Sequence, residues 1–215
     1  MTDEIVICEA SDLERLKELD GEIESLRFHN FEGVFRSKEY EISSINHIRF
    51  TGTLKGSFFF TDCSIKHVRE ESLNSEIDTF IFMRCSIDFF DIYSNAKIRE
   101  LNFFMCKSLG DISVINGQIN LLLFLYNRQI HGLHLDARIE TIYIDLFINE
   151  KTGASFDEIS RDTLKIPTLG YLLIGKLPSG SISVRNGCIG DISLNLSGES
   201  LSLSLLSIRC RRLVL

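Results

Sequence analysis

The feature that most constrains this chain is an internal repeat with a period of about 21 residues, within the range typical of repeat architectures. In its clearest part, an apolar residue is followed by further apolar residues three and five positions later. Eight positions later comes a cysteine, an asparagine or a phenylalanine. Successive segments with this frame begin at Ile77, Ile98, Ile119 and Ile139. Such a period predicts a solenoid, because one unit is too small to bury its own apolar side chains and must stack on the next.

Within each unit, apolar and polar residues alternate, which is typical of a β-strand with one buried face. Stacking then places equivalent side chains above one another at a strand spacing of roughly 4.8 Å. The first ladder of equivalent positions predicts a phenylalanine column and a cysteine column: Phe60, Phe82, Phe103 and Phe124, with Cys63, Cys85 and Cys106. A second ladder has the same period: Val68, Phe90, Ile112 and Leu133, with Ile92, Val114 and Leu135. Two ladders predict two strands in every turn.

Outside residues 58–147 the spacing is less regular. Segments that start at Ile23 and Ile45 predict earlier strands. Downstream, we expect the segment from Ile166 to Ile174, with Tyr171 at an inward position, to continue the first ladder, and Ile182 and Val184 to continue the second. The extra length before it is interpreted as an inserted polar loop, residues 149–163, with a short candidate helix at 155–162.

The N-terminal residues 1–22 predict a strand and a short amphipathic helix. Ser11 and Glu14 have the spacing of a capping box, and Leu13, Leu16 and Leu19 follow at helical spacing. We expect this segment to cover the first edge of the solenoid, because an open edge strand promotes aggregation. The predicted fold is therefore mainly β: a parallel β-solenoid over residues 23–215 with an N-terminal cap over residues 1–22.

Charge and composition exclude several classes of protein. The chain has 23 Lys and Arg against 30 Asp and Glu, a formal charge of −7, which disfavours binding to nucleic acid. The longest apolar stretch, Leu121 to Tyr126, is too short to span a membrane. The acidic start does not resemble a signal peptide, and the six cysteines contain no CxxC pair, so we expect reduced thiols. These features predict a cytoplasmic protein that contacts neither nucleic acid nor membrane.

No motif identifies a catalytic, metal or cofactor site. Nucleophile-elbow, phosphate-loop and zinc-protease motifs are absent from the sequence. His131 and His134 form the closest histidine pair, but strand periodicity places them on opposite faces or in a turn. Four aspartates look like turn or solvent-facing residues: Asp88, Asp91, Asp111 and Asp136. We therefore predict a protein that is not an enzyme and uses no cofactor or metal. The alternative is a solenoid enzyme that acts on a carbohydrate or other polymer, with its site beside residues 149–163.

The frame L-x-x-L-x-L-x-x-N/C, as it runs from Ile98 to Cys106 and from Ile119 to Asn127, resembles the leucine-rich repeat. Its Phe-x-x-Cys form resembles the cysteine-containing repeats of bacterial leucine-rich proteins. The resemblance covers residues 58–147. The stretch from Ser86 to Ile92 alternates like a second strand where typical repeats have a helix, which favours a flattened solenoid. The resemblance implies a recognition scaffold, since that family mostly binds other proteins, and it carries over no catalytic residue.

The outward positions of the two ladders differ in polarity. Those of the second ladder are polar: Asp91, Ser113, His134, Ser183, Ser202 and Ser204. Those of the first ladder are largely apolar, and soluble monomers seldom leave an apolar patch of several hundred Å² uncovered. We predict that a protein-binding face, with Glu100 and Asp145 at its polar rim, is formed by Ile81, Met83, Phe104, Leu123, Leu125 and Tyr143.

Three occupants of this face remain open. The chain itself would cover it with the segment around Phe156 and Ile159 or with its N-terminal segment. A second copy of the chain, or a different protein, would cover it by association. A small acidic scaffold also suits an immunity protein that neutralises a toxin or effector, because many toxins that attack nucleic acids are basic and opposite charge speeds capture.

Overall fold

The computed structural model describes residues 4–145, 169–174, 179–194 and 200–214. Over these ranges the chain coils through parallel strands arranged in two layers. Two short 3-10 helices, Ala10–Glu18 and Ser37–Tyr40, lie near the N-terminus. The strands are β1 (Glu4–Ile7), β2 (Glu22–His29), β3 (Glu32–Arg36), β4 (Ser44–Thr51), β5 (Lys55–Thr61), β6 (Ser64–Glu70), β7 (Glu76–Met83), β8 (Ser86–Ile92), β9 (Lys97–Phe104), β10 (Ser108–Leu125), β11 (Ile130–Asp145), β12 (Leu169–Ile174), β13 (Ser179–Leu194) and β14 (Ser200–Val214).

The two layers correspond to the two ladders. Layer A contains β1, β2, β4, β6, β8 and β12, and layer B contains β3, β5, β7 and β9. The four longest strands, β10, β11, β13 and β14, run through a turn and belong to both layers. Neighbouring strands within the described residues pair in parallel, with equivalent repeat positions opposite each other. The predicted parallel β-solenoid, with one coil for each repeat unit and two strands in each coil, is confirmed.

The predicted phenylalanine column forms the centre of the core. Phe60, Phe82, Phe103 and Phe124 face one another on neighbouring strands of layer B, and all four are fully buried. Their rings stack with centroid separations of 5.1, 5.3 and 4.8 Å. Phe90 of layer A packs edge-on against Phe82 and Phe103 at 5.4 and 5.3 Å. Aromatic contacts therefore join the two layers, because alternation directs one side chain in two toward the interior.

The predicted cysteine column lies in the turns that lead from layer B to layer A. Cys63, Cys85 and Cys106 are buried, and each follows a non-glycine residue with φ between 53° and 57°. The Cys85 thiol donates to the Phe60 carbonyl at 3.4 Å, and the Cys106 thiol donates to the Phe82 carbonyl at 3.3 Å. Burial raises the pKa of Cys106 to about 12, so this thiol stays protonated and remains a donor.

Asn127 occupies the next position of the same column and is fully buried. Its Nδ2 donates to the Phe103 carbonyl at 2.9 Å, and its Oδ1 accepts from the Cys106 N–H at 2.9 Å. The carboxamide thus satisfies a carbonyl and an N–H of the preceding coil. A cysteine in this column, such as Cys106, satisfies only a carbonyl of the preceding coil, because a thiol is a weak hydrogen-bond acceptor.

The N-terminal helix differs from the prediction in type and in its cap. The segment forms the 3-10 helix Ala10–Glu18. Its capping box consists of Glu9 and Asp12, so the prediction of Ser11 and Glu14 as the capping pair was wrong. The Asp12 carboxylate instead accepts from the backbone N–H groups of the two residues before the helix, at 2.8 and 3.1 Å. Any short acidic side chain at the third helical position suits this role, so spacing alone did not select the right one. The helix contacts β1 and β3.

Beyond residue 145 the two ladders are exchanged relative to the prediction. Residues Leu169–Ile174 pair with the layer A part of β11, so they continue the second ladder. Ile182 and Val184 pair with Ile142 and Ile144 in layer B, so they continue the first. The prediction was wrong because both ladders share one apolar spacing, and only strand pairing distinguishes them. The predicted loop 149–163 and its candidate helix lie outside the described residues.

This exchange also changes which side chains face outward. Tyr171, expected at an inward position, lies on the outer face of layer A beside Asp111. Ser183 and Ser204 pair with each other in layer B, as do Ser181 and Ser202, so the serines assigned to the second ladder belong to the first.

Candidate interaction surfaces

The six predicted protein-binding residues lie side by side on the outer face of layer B, and all six are half-buried. Alternation places them outward because their neighbours in sequence fill the core. Strand pairing arranges them in two rows that run across the strands. The rows are Ile81–Asn102–Leu123–Tyr143 and Met83–Phe104–Leu125.

Two further aromatic residues extend this face. Phe59 pairs with Ile81 and adds one position to the first row, and the Arg36 guanidinium lies 5.0 Å from its ring centroid. Tyr126, in the following turn, contacts the Phe104 ring edge-on at 5.9 Å. Sequence reasoning missed both residues, although Phe59 precedes Ile81 by close to one repeat period.

Polar groups interrupt and border the apolar rows. Asn102 sits between Ile81 and Leu123, and its Nδ2 donates to Glu100 at 3.5 Å. Its Oδ1 is buried and has no hydrogen-bond partner among the described residues. Glu100 and Asp145 pair with Leu121 and Leu125 respectively, so both predicted rim carboxylates lie next to the apolar rows.

The N-terminal helix lies away from the two rows. It contacts β1 and β3, at the first coils, rather than the strands that carry the rows. The other segment expected to cover this face, around Phe156 and Ile159, lies outside the described residues, and so does the expected location of an enzyme site at 149–163.

A second group of side chains lies on the outer face of layer A. His131 Nδ1 is 2.7 Å from Asp111 Oδ1, and the Tyr171 hydroxyl donates to the same oxygen at 2.9 Å. Burial and the bond to Asp111 raise the pKa of Tyr171 to about 12. The ring lies against Gly132, where an added Cβ would clash with two carbons of the Tyr171 ring. Asp111, expected to be a solvent-facing residue, therefore orients a histidine and a tyrosine.

Metal ligation is not indicated by this geometry. The described residues contain no group of three or more His, Cys, Asp or Glu side chains able to hold a metal ion. His131 is exposed and engages Asp111, whereas His134 is half-buried three residues later.

Basic side chains are stacked on the first coils of layer A, which sequence reasoning did not predict. Three arginines face one another on neighbouring strands: Arg27 on β2, Arg49 on β4 and Arg69 on β6. His47 and His67, each two residues before the arginine of its strand, also face each other. The signal was present in the sequence, since these arginines and histidines recur at intervals close to the repeat period. It was missed because the two strands predicted from Ile23 and Ile45 were not aligned with the second ladder.

Comparison with family models, with curated proteins and with solved structures found no match to this chain. Among the described residues, no helix has the length and hydrophobicity needed to cross a membrane.

Proposed function

We propose that this chain is a non-catalytic protein-binding scaffold of leucine-rich-repeat type, which captures a protein partner through the outer face of layer B. The observation that carries the proposal is the pair of adjacent apolar rows that includes Ile81, Leu123 and Tyr143 in one row and Met83 and Phe104 in the other. A hydrogen-bonded parallel sheet holds these side chains in fixed positions, which lowers the ordering cost of association.

The composition of the face favours a protein as the occupant. Aromatic residues and methionine are enriched at the centres of protein interfaces, and charged residues at the rim. Here Phe104, Tyr143 and Met83 lie in the rows, and Glu100 and Asp145 border them. The formal charge of −7 favours a basic partner, because opposite charges accelerate the encounter. Neutralisation of a basic toxin or effector in the cytoplasm is the specific role that we propose.

The test is a double substitution, Leu123→Asp with Phe104→Asp, compared with a matched control. The control, Leu173→Asp with Phe89→Asp, places the same two residue types on the outer face of layer A, where both are exposed. Partners are captured on the immobilised chain, identified by mass spectrometry, purified and bound again in isolation. We expect both variants to retain the circular dichroism of the fold and only the layer B variant to lose the purified partner.

Each other outcome contradicts part of the proposal. If the folded layer B variant still binds the partner, the face is wrongly assigned. If the layer B variant unfolds while the control does not, the chain itself covers the face. If the unmodified chain is a dimer and the layer B variant a monomer, with no other protein bound, the occupant is a second copy.

A further inference from the structure

The stacked arginines of layer A differ in charge pairing from the facing charged residues of layer B. In the described part of layer B, charged residues that face each other have opposite signs, as for Glu32 and Lys55 and for Glu76 and Lys97, the second pair being 3.4 Å apart. Arg27, Arg49 and Arg69 instead place three like charges in one row of layer A. Like charges directly opposite each other destabilise a sheet. Departures of this kind from local consistency tend to mark functional sites.

Two histidines complete a basic cluster beside this row. His47 and His67 face each other on β4 and β6, with ring centroids 6.3 Å apart, so that with Arg49 and Arg69 they form a two-by-two block. A surface cavity of about 210 Å³ opens on the block. Its lining consists of Glu4, Ser25, His47, Ile48, Arg49, His67 and Arg69.

Nearby carboxylates neutralise the cluster without using most of its donors. Glu71 lies 3.2 Å from Arg49 and 3.5 Å from Arg69, and Glu4 lies 2.9 Å from Arg27. A guanidinium carries five N–H groups. The Nε atoms of Arg27 and Arg69 are buried and have no hydrogen-bond partner among the described residues. The contacts with Glu71 use one terminal nitrogen of Arg49 and one of Arg69, so the other terminal nitrogen of each arginine is left for a further acceptor.

Exposed aromatic rings lie directly beside the basic block. Phe89 faces His67 on the next strand, is 51% exposed, and has its ring centroid 5.9 Å from that of His67. Tyr93 is 46% exposed, and the Arg69 guanidinium lies 6.0 Å from its ring centroid. Basic side chains that contact phosphate, together with aromatic rings on which bases stack, are the combination that recognises nucleotide units.

We propose that this face binds a nucleotide, with its phosphate groups on His47, Arg49, His67 and Arg69 and its base stacked on Phe89. Arginine suits the phosphates, because its planar fork donates two parallel hydrogen bonds to one phosphate. Phe89 is one strand away from the block, at a spacing of roughly 4.8 Å, which a nucleotide bridges between phosphate and base. One compact cluster suffices for a single nucleotide, whereas a nucleic-acid polymer requires an extended basic surface.

A carboxylate of the neighbouring strand also reaches the cluster. Asp91 lies 2.8 Å from His67 Nε2, so the His67 ring already contacts a carboxylate. His47 is therefore the more available of the two histidines for contact with a phosphate.

The experiment is isothermal titration calorimetry on the full chain with two probes, ADP and inorganic pyrophosphate, in low salt. We expect both probes to bind, and ADP to bind more tightly than pyrophosphate. Arg49→Gln with Arg69→Gln should weaken both probes at least about 10-fold, and Phe89→Ala should weaken ADP about 10-fold while sparing pyrophosphate. Arg99→Gln, an exposed arginine of layer B, should change neither.

Absence of saturable binding for both probes would overturn the proposal, as would unchanged affinity in the double arginine variant. Equal affinity for the two probes, with no effect of Phe89→Ala, would refute the nucleotide and leave simple anion binding. If the double variant does not fold, Arg49→Lys replaces it: this change keeps the charge but removes the fork, so that unchanged ADP affinity would contradict the assigned contact.

Discussion

Removal of the Phe103 ring tests the stacked core most directly. The side chain is fully buried, stacks at 5.3 Å on Phe82 and at 4.8 Å on Phe124, and meets Phe90 edge-on at 5.3 Å. Truncation of a buried phenylalanine to alanine costs about 3–5 kcal/mol, and each lost aromatic pair contributes about 0.5–1.5 kcal/mol beyond area burial. With three ring partners lost, we expect Phe103→Ala to lower the free energy of unfolding by about 4–5 kcal/mol.

The measurement is urea unfolding followed by circular dichroism, with linear extrapolation to water. Phe89→Ala is the matched control, since it makes the same substitution at a ring that is 51% exposed, and we expect it to cost less than about 1 kcal/mol. A cost for Phe103→Ala below about 1 kcal/mol would show that Phe103 does not face the interior and that the four rings do not form a buried column.

Three further predictions concern single positions. Burial raises the pKa of Glu70 above its ordinary value of 4.5, so the parent chain should lose stability relative to Glu70→Gln as pH rises through the folded-state pKa; an equal difference in urea unfolding at pH 5 and pH 8 would contradict this. Asn127→Ala should cost about 2–4 kcal/mol by the same assay, because it removes two buried hydrogen bonds to the backbone, and Asn127→Cys should cost less; an equal cost would show that a thiol does not replace the amide. Gly132→Ala should displace Tyr171 and lower its pKa from about 12 toward 10 in an ultraviolet titration, and an unchanged titration would show that the ring does not rest on this glycine.

The core was predictable from the sequence where both ladders were regular. Phe82 and Phe103 are one repeat period apart, and each occupies the same inward position of a strand whose side chains alternate between two faces. These two facts are enough to place one ring above the other. The cysteine column followed from the same spacing. What spacing did not reveal is why a thiol suits the site: its hydrogen bond to a carbonyl of the preceding coil depends on the left-handed residue that opens each turn.

The outer faces were predictable only in part. Leu123 and Tyr143 were assigned outward on one layer from alternation alone, and strand pairing places them in adjacent positions. The arginine row on the other layer went unpredicted, because Arg27 and Arg49 belong to strands whose spacing around the N-terminal turns is irregular.

By itself, the sequence determined the period with which the chain coils and which side chains fill its interior, because burial of every second apolar residue is a local property of each strand. Tertiary structure alone decided which layer the strands beyond residue 145 join, since the two ladders have the same apolar frame and differ only in hydrogen-bonded neighbours. It also decided which polar residues meet on the outer faces. The encounter of Asp111 with Tyr171, which are far apart in sequence, depends on how many coils the intervening chain completes.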